Sequence, residues 1–342
     1  MTADSRPPVV RLGARRSPLA RAQVELVAAQ LAARGIGSTF VGITTAGDVD
    51  RRALTEIGGT GVFASAVRDA LRAGEIDVAV HSLKDLPTAA ETDFEIAAVP
   101  TREDSRDVMV GCSLDELPDG ARVGTGAPRR AAQLVDWAER NGRRLDVVPV
   151  RGNVDTRIAL VRSGTVDAVV LAAAGLRRLG RLGLVGPHNS DTVVSDLPAQ
   201  ILDYSVMLPA PGQGALALEI QRSLSNEIRP HVAVLDDPVA RAECLVERGF
   251  LATLEAGCTA PVGARAVVKS VRGTSLDLTL DAVIGKTLLS NLSEPTKSGP
   301  DHLGSGVLRI AERGLSEHPE QFGAMHAEQV LTELRDRHDA RR

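Results

Sequence analysis

The chain has 342 residues, of which 43% are hydrophobic and 25% are charged, and its net charge is −4 at pH 7. This length predicts two or three domains, and the acidic balance gives the chain no reason to bind nucleic acid or an anionic membrane. The longest apolar run, around 168–176, is about half of the ~18 residues that a membrane helix needs. An aromatic content of 2% excludes the base-stacking surfaces of single-strand binding proteins.

The cysteines Cys112, Cys244 and Cys258 are scattered along the chain and have no CxxC spacing. Their odd number argues against a disulfide framework and a structural zinc site, and it favours a reducing compartment. The first residues lack the apolar core of a signal peptide. We therefore expect a cytoplasmic protein without a bound metal.

Short β-branched runs alternate with amphipathic helical stretches over the first two-thirds of the chain. The pattern predicts strands over 9–13, 38–44, 76–80, 94–99, 107–111, 122–124, 145–150 and 168–171, and helices over 18–34, 63–73, 128–141 and 154–162. Such alternation is typical of open α/β domains with largely parallel sheets.

The last third of the chain has a different pattern. It predicts a long helix over 237–255, antiparallel strands over 260–269 and 275–284, and helices near 304–313 and 324–337. This order indicates a smaller α+β domain, and the segment LPAPGQG at 208–214 indicates a crossing between domains. We predict one α/β domain over 1–104 with 209–232, a second over 105–208, and the α+β domain over 233–342.

Polar residues follow the predicted strands of both α/β domains where each strand ends. They include Arg15 and Ser17, Lys84 and Asp85, Thr125 with Arg129 and Arg130, Arg151 with Arg157, and Arg178. Ser17 is placed as a helix N-cap, with Pro18 at the first helical position. Because ligands of open α/β sheets bind at the carboxyl ends of strands, these residues predict an interdomain cleft that binds a polyanion.

Each of these features also has an ordinary structural interpretation. Adjacent arginines commonly form a solvated helix face, a histidine such as His81 is commonly part of a core, and a lone cysteine is commonly a small buried hydrophobe. Lys84 and Asp85 could form a surface ion pair that contributes less than ~1 kcal/mol. The repetition of arginines at successive strand ends nevertheless favours a binding site.

Eight segments in this order resemble the porphobilinogen deaminase family, also called hydroxymethylbilane synthases. They are RLGARRSPLARAQ (11–23), IGGTGVF (57–63), HSLKDLPT (81–88), VGTGAPRRAAQL (123–134), RGNVDTR (151–157), LAAAGLRRLG (171–180), LPAPGQGALALE (208–219) and GCTAPVGA (257–264). They cover about residues 9–265, and HSLKDLPT, RGNVDTR and the late GCTAPVG are the most specific.

The resemblance implies a fold and a reaction. The fold has two α/β domains like those of type II periplasmic binding proteins, followed by the α+β domain. The reaction joins four porphobilinogen molecules head to tail with loss of ammonia, and hydrolysis then releases hydroxymethylbilane. The resemblance also implies one dipyrromethane cofactor per chain, bound through a thioether to Cys258, and a monomeric enzyme.

The resemblance also implies roles for individual residues. Asp85 matches the catalytic aspartate, which would oppose the charge of the cationic azafulvene formed by deamination. Each pyrrole carries an acetate and a propionate, which the planar forks of arginines bind well. Cofactor-binding positions are matched by Cys258, Lys84, Ser17, Thr125, Arg129, Arg130 and Arg151, and substrate-binding positions by Arg15, Arg157, Arg178 and Phe63.

The chain departs from the family pattern in two places. Glu56 and Thr60 stand in the glycine-rich segment 46–62, which resembles a lid, where bacterial relatives often have lysines. Gly126 and Ala127 replace the hydroxyl residues of the family's GTSSLRR motif.

Two other functions remain open at this point. A carboxylate-binding protein of the same two-lobed shape explains the arginines, but it gives no role to Cys258 or Asp85. Alternatively, Lys84 could be a Schiff-base nucleophile, but a neighbouring carboxylate would raise the pKa of a lysine rather than lower it.

Overall fold

A computed structural model describes residues 9–44, 62–89, 91–184, 192–224, 227–256, 260–292 and 307–339. By its internal contacts the chain divides into two compact units. The first unit comprises Met1–Glu103 with Ala215–Arg241, and the second comprises Asp104–Gly214 with Ala242–Arg342.

Strands and helices alternate along most of the chain. The strands are β1 (Val10–Arg15), β2 (Ser38–Ile43), β3 (Val78–Ser82), β4 (Phe94–Ala98), β5 (Asp107–Val110), β6 (Ala121–Thr125), β7 (Leu145–Pro149), β8 (Ala168–Ala172), β9 (Leu182–Leu184), β10 (Thr192–Val194), β11 (Leu197–Ile201), β12 (Leu216–Gln221), β13 (Val262–Arg272), β14 (Ser275–Gly285) and β15 (Val307–Ser316). The helices are α1 (Pro18–Ala32), α2 (Val62–Arg72), α3 (Pro128–Arg140), α4 (Val154–Arg162), α5 (Ala173–Arg178), α6 (Arg229–Ala233), α7 (Pro238–Thr253), α8 (Lys286–Leu292) and α9 (Pro319–Asp339), and a 3₁₀ turn spans Leu83–Asp85.

In its described residues, the first unit has a five-stranded sheet in the order β2-β1-β3-β12-β4. Strand β1 is parallel to β2 and β3, whereas β12 is antiparallel to β3 and β4. Helix α1 begins as predicted, because the Ser17 side chain accepts a hydrogen bond from the Ala20 N–H and Pro18 is at the first position. The helix buries Val24, Val27 and Leu31 in the core of this unit.

The described part of the second unit has a seven-stranded sheet in the order β7-β6-β8-β5-β11-β10-β9. Strands β7, β6 and β8 are parallel, and β5, β9, β10 and β11 pair antiparallel. The expectation of largely parallel sheets therefore holds for the pairs among β1–β3 and among β6–β8. It is wrong for the pairs that involve β12 in the first sheet and β5, β10 or β11 in the second, which are antiparallel. A run of buried apolar residues predicts a strand but contains no information about its direction, which depends on the neighbour with which it pairs.

The second unit also contains, over its described residues, an antiparallel three-stranded sheet in the order β13-β14-β15. Helices α7 and α9 contribute Val246, Phe250 and Phe322 to the core beside this sheet. The helix predicted near 304–313 is wrong, since residues from 307 onward form β15 and pair along the whole of β14. Leu308 and Ile310, two residues apart, face the core from the strand.

The α/β class with an additional α+β domain is confirmed by these sheets. The predicted helices over 18–34, 63–73, 128–141 and 154–162 match the observed ones to within two residues. None of the helices in the described ranges is long and apolar enough to cross a lipid bilayer.

Candidate active site

In the first unit, predicted site residues lie at the carboxyl ends of two parallel strands. Arg15 is the last residue of β1, and Ser17 caps the helix that follows. Lys84 and Asp85 lie in the 3₁₀ turn directly after β3. Because β1 and β3 are parallel neighbours, these residues share one edge of the sheet, as predicted.

The turn with Asp85 is anchored on both sides of the carboxylate. Leu83 and Leu86 are buried, whereas Asp85 between them is exposed. The Leu83 N–H donates to the Ala215 carbonyl at 3.1 Å, which extends the pairing of β3 with β12 into the turn. The Asp85 carboxylate is thus held at the surface by a fixed backbone.

Gln23 supports the same turn from helix α1. It is 4% exposed, and its Nε2 donates to the Ser82 Oγ at 2.7 Å. The sequence interpretation did not single out Gln23 or Ser82, although both lie within the quoted segments RLGARRSPLARAQ and HSLKDLPT. The sequence signal for this contact is a glutamine on the buried face of an amphipathic helix. A buried amide needs a polar partner, so such a glutamine predicts a hydrogen bond inside the unit.

The second unit has a similar edge, formed by the ends of β6, β7 and β8. Thr125 ends β6 and is buried, and its Oγ1 accepts a hydrogen bond from the Ala127 N–H at 3.2 Å. A Cβ atom on Gly126 would lie 2.7 Å from the Val150 carbonyl oxygen, so the backbone has room only for glycine here. A hydroxyl residue at position 126 would therefore require a shift of the backbone in this chain.

Arginines surround this edge of the second sheet. Arg151 is exposed after β7, and Arg157 is half-buried, with its Nε donating to the Gly152 carbonyl at 3.0 Å. Burial, and then the charge of Arg130, lowers the pKa of Arg157. Arg178 is half-buried at the end of α5, where it donates to the Gly214 carbonyl at 2.7 Å.

Arg129 and Arg130 are buried and bind a carboxylate of the protein itself. Asp107, at the start of β5, is 0% exposed and lies 2.8 Å from Arg129 Nη2 and 2.7 Å from Arg130 Nη2. Gln213 Nε2 also donates to Asp107, at 2.9 Å. Burial alone would raise the pKa of Asp107, but the two guanidinium groups and these hydrogen bonds hold it well below its usual range.

The role of Asp107 was missed in the sequence, where it was only the first residue of a predicted strand. A carboxylate that begins the apolar run DVMV was the available signal, since a buried charge requires a partner. Which arginines supply the partner depends on the tertiary structure.

Replacement of Asp107 by Ala is expected to destabilise the second unit by about 3–5 kcal/mol, because it leaves two buried cations without their carboxylate. Denaturant unfolding of the variant measures the loss. The lowered pKa also predicts that the stabilisation by Asp107 is complete above the ordinary aspartate pKa of about 4 and disappears at lower pH. The variant should therefore lose less stability than the wild type as the pH falls from 5 to 2, and parallel losses would contradict this role of Asp107.

Several predicted features lie outside the described residues. These are Cys258, the segment 46–61 with Glu56 and Thr60, and the side chain of Phe63, whose backbone belongs to α2. Cys244 lies in α7 and is buried, as the helical pattern predicted, and Cys112 is half-buried. Over the described ranges, no cluster of three or more His, Cys, Asp or Glu side chains could hold a metal ion.

The donor chemistry of the second sheet edge fits a group with several carboxylates. The half-buried Arg157 has a pKa that the charge of Arg130 lowers, and the exposed Arg151 directly follows β7. Guanidinium groups bind carboxylates through paired N–H donors. These features define a class of protein: an α/β protein with arginine side chains at the carboxyl ends of its strands.

Comparisons with known proteins identify the family. Residues 10–228 match the family model described as "Porphobilinogen deaminase, dipyromethane cofactor binding domain", and residues 241–304 match "Porphobilinogen deaminase, C-terminal domain". Porphobilinogen deaminase 1 of Streptomyces coelicolor is 50% identical, over 85% of this chain and 88% of its own. Porphobilinogen deaminase of Acidothermus cellulolyticus is 43% identical, over 99% of this chain and 98% of its own.

Among solved structures, a periplasmic substrate-binding protein of an ABC transporter from Coxiella burnetii is similar with a TM-score of 0.38 and 14% identity. The similarity covers 68% of this chain and 94% of that one. The two family models and the curated relatives are sufficient for the assignment: the chain belongs to the porphobilinogen deaminase family.

The family assignment confirms the predicted activity and cofactor. The chain is a transferase of tetrapyrrole biosynthesis that joins four porphobilinogen molecules head to tail with loss of ammonia and releases hydroxymethylbilane. It uses a dipyrromethane cofactor.

Proposed function

We propose that Asp85 is the catalytic residue of this deaminase. The observation that carries the proposal is the exposed carboxylate on a turn whose neighbours Leu83 and Leu86 are buried. A carboxylate held in this way stabilises the positive charge that develops on the substrate as ammonia leaves, without first having to reorganise. It also accepts hydrogen bonds from pyrrole N–H groups.

The arginines and hydroxyl groups at the strand ends bind the carboxylates of the pyrroles in this proposal. Arg15, Arg157, Arg178 and Phe63 are assigned to the substrate, and Ser17, Lys84, Thr125, Arg129, Arg130, Arg151 and Cys258 to the cofactor. When bound, the dipyrromethane supplies the pyrrole carbon to which the first porphobilinogen is joined. Arg157 and Arg151 support the assignment most directly. Arg157 is half-buried and its pKa is lowered by the charge of Arg130, and Arg151 is exposed at the same sheet edge.

Arg129 and Arg130 contribute mainly through charge in this proposal. The two residues are 4% and 5% exposed, and their guanidinium groups are hydrogen-bonded to Asp107, Leu208 and Val170. The charge of Arg130 nevertheless lowers the pKa of Arg157. The pair therefore increases the positive potential at the start of α3.

We further propose a cytoplasmic monomer with a covalent cofactor on Cys258. The free thiols of Cys112 and Cys244 support a reducing compartment. We also propose that the domain boundaries lie near residues 105, 209 and 233, as the sequence predicts.

The arginines should act at different stages of chain elongation. Arg151→Leu is expected to impair cofactor assembly or the first addition, whereas Arg157→Leu should stall later additions as carboxylates accumulate. Loss of one charge-assisted contact of about 1.5–3 kcal/mol corresponds to a decrease in turnover of roughly 10- to 100-fold. Separation of the enzyme–intermediate species by anion exchange measures the stage at which each variant stalls.

Arg144→Leu is the matched control, because Arg144 belongs to the same unit but forms an exposed ion pair with Asp119. We expect it to give the distribution of intermediates of the wild type. If Arg151→Leu and Arg157→Leu also give that distribution, the assignment of these arginines is wrong.

A further inference from the structure

A buried cluster of charged residues lies behind the turn that carries Asp85. Glu219 of β12 is 3% exposed and accepts three hydrogen bonds from Arg68 of α2. Nη2 donates to Oε1 at 2.8 Å, and Nε donates to Oε2 at 3.0 Å and to Oε1 at 3.2 Å. The ring of His81, at the end of β3, lies with its Nε2 3.3 Å from Glu219 Oε2. A second carboxylate, the partly exposed Glu91, contacts Arg68 at 2.5 Å.

Glu219 remains ionised in this environment. Burial would raise the pKa of Glu219, but the neighbouring His81 and Arg68 lower it to about 2. A desolvated carboxylate that is hydrogen-bonded to Arg68 and lies beside His81 restrains these side chains, because any movement leaves a buried charge without compensation.

The strand pairing connects this cluster to the proposed catalytic residue. In the register of β12 with β3, Ala217 is opposite His81 and Leu216 is opposite Ser82. The next contact in the same direction is the hydrogen bond from the Leu83 N–H to the Ala215 carbonyl, and Leu83 is the first residue of the turn. His81 is thus four residues before Asp85 on a continuous hydrogen-bonded backbone.

We propose that Glu219 is a positioning residue of the deaminase, which acts through His81 to hold the end of β3 and the turn with Asp85 in place. The proposal rests on the assignment of Asp85 as the catalytic residue. Glu219 itself touches neither substrate nor cofactor in this mechanism. Its effect is therefore expected in the rate of turnover rather than in substrate affinity.

The same sheet contains a matched pair at the opposite end of β3. Asp77 directly precedes β3, has a side chain 6% exposed, and contacts Arg11 Nη2 at 2.6 Å and Nε at 3.0 Å. The Arg11 backbone N–H also donates to Asp77, at 2.8 Å. Glu219 and Asp77 are therefore both buried carboxylates with three hydrogen bonds from one arginine. They differ in their position relative to Asp85: Asp77 precedes β3, whereas Glu219 lies beside His81 at the end of β3 that leads into the turn.

The test compares the variants E219Q and D77N in kcat, KM for porphobilinogen, and thermal unfolding. Both variants should lose stability, since each removes the charge of a buried carboxylate that is paired with an arginine. We expect E219Q to lower kcat at least about tenfold, with KM changed less than about twofold, and D77N to retain the kcat of the wild type. Equal kcat values for folded E219Q and D77N would show that Glu219 is only structural, and would overturn the proposal.

The variant His81→Gln keeps the proposal testable if E219Q does not fold. It should reduce kcat as E219Q does, and the double variant should be no slower than the slower single one, because both act through one contact. Unchanged kcat in His81→Gln, or losses that multiply in the double variant, would overturn the proposal. The variant D85N separates the catalytic role of Asp85 from the positioning role of Glu219. If D85N stays active, the assignment of Asp85 as the catalytic residue fails. If D85N is inactive and E219Q is unaffected, only the positioning role is rejected.

Discussion

Replacement of Asp85 by Asn is expected to leave a folded protein that carries its cofactor but turns over about 10²–10³-fold more slowly. The two side chains have nearly the same shape, and Asp85 is exposed, so the packing of Leu83 and Leu86 around the turn is preserved. What is lost is the negative charge that opposes the cation formed as ammonia leaves. Steady-state kinetics, with intact mass to confirm the cofactor, measure the effect.

Asp93→Asn is the control for this variant. Asp93 is another exposed carboxylate of the first unit, and its side chain, 59% exposed, lies 3.6 Å from Arg72. Its replacement should change turnover by less than about twofold. Activity of Asp85→Asn within a few-fold of the wild type would reject Asp85 as the catalytic residue.

Replacement of Cys258 by Ser is expected to abolish both the cofactor and most of the activity. The purified wild type should be heavier than its sequence mass by two linked pyrrole units, and the variant should have the sequence mass alone. An acidic aldehyde reagent for pyrroles should colour the wild type and leave the variant colourless.

Cys112→Ser and Cys244→Ser are the matched controls, and both should keep the added mass and the activity. Burial, with Glu116 and Asp167 nearby, raises the pKa of Cys112 to about 11, so little of its thiol is ionised at neutral pH. Cys244 is 2% exposed within α7. An unmodified mass in active wild-type enzyme would contradict the covalent attachment proposed for Cys258.

The local sequence determined most of what positions the site. Ser17 and Pro18 start helix α1 through interactions within one turn of the chain, so its first residue could be predicted. Likewise, the apolar run before His81 predicts a buried strand, and the polar residues after it must then lie at the end of that strand. The positions of Lys84 and Asp85 at a sheet edge follow from these local patterns.

Tertiary structure decided which charged groups meet inside the protein. Arg129 and Arg130 match binding residues of the family in sequence, yet their guanidinium groups pair with Asp107, more than twenty residues earlier in the chain. Glu219 and Arg68, 151 residues apart, likewise meet because β12 pairs with β3 and helix α2 packs against both strands. A sequence pattern reports local burial and helix or strand periodicity, whereas the partner of a buried charge depends on which strands become neighbours. For the same reason the short apolar pattern of β15 predicts a helix, whereas its pairing with β14 makes it a strand.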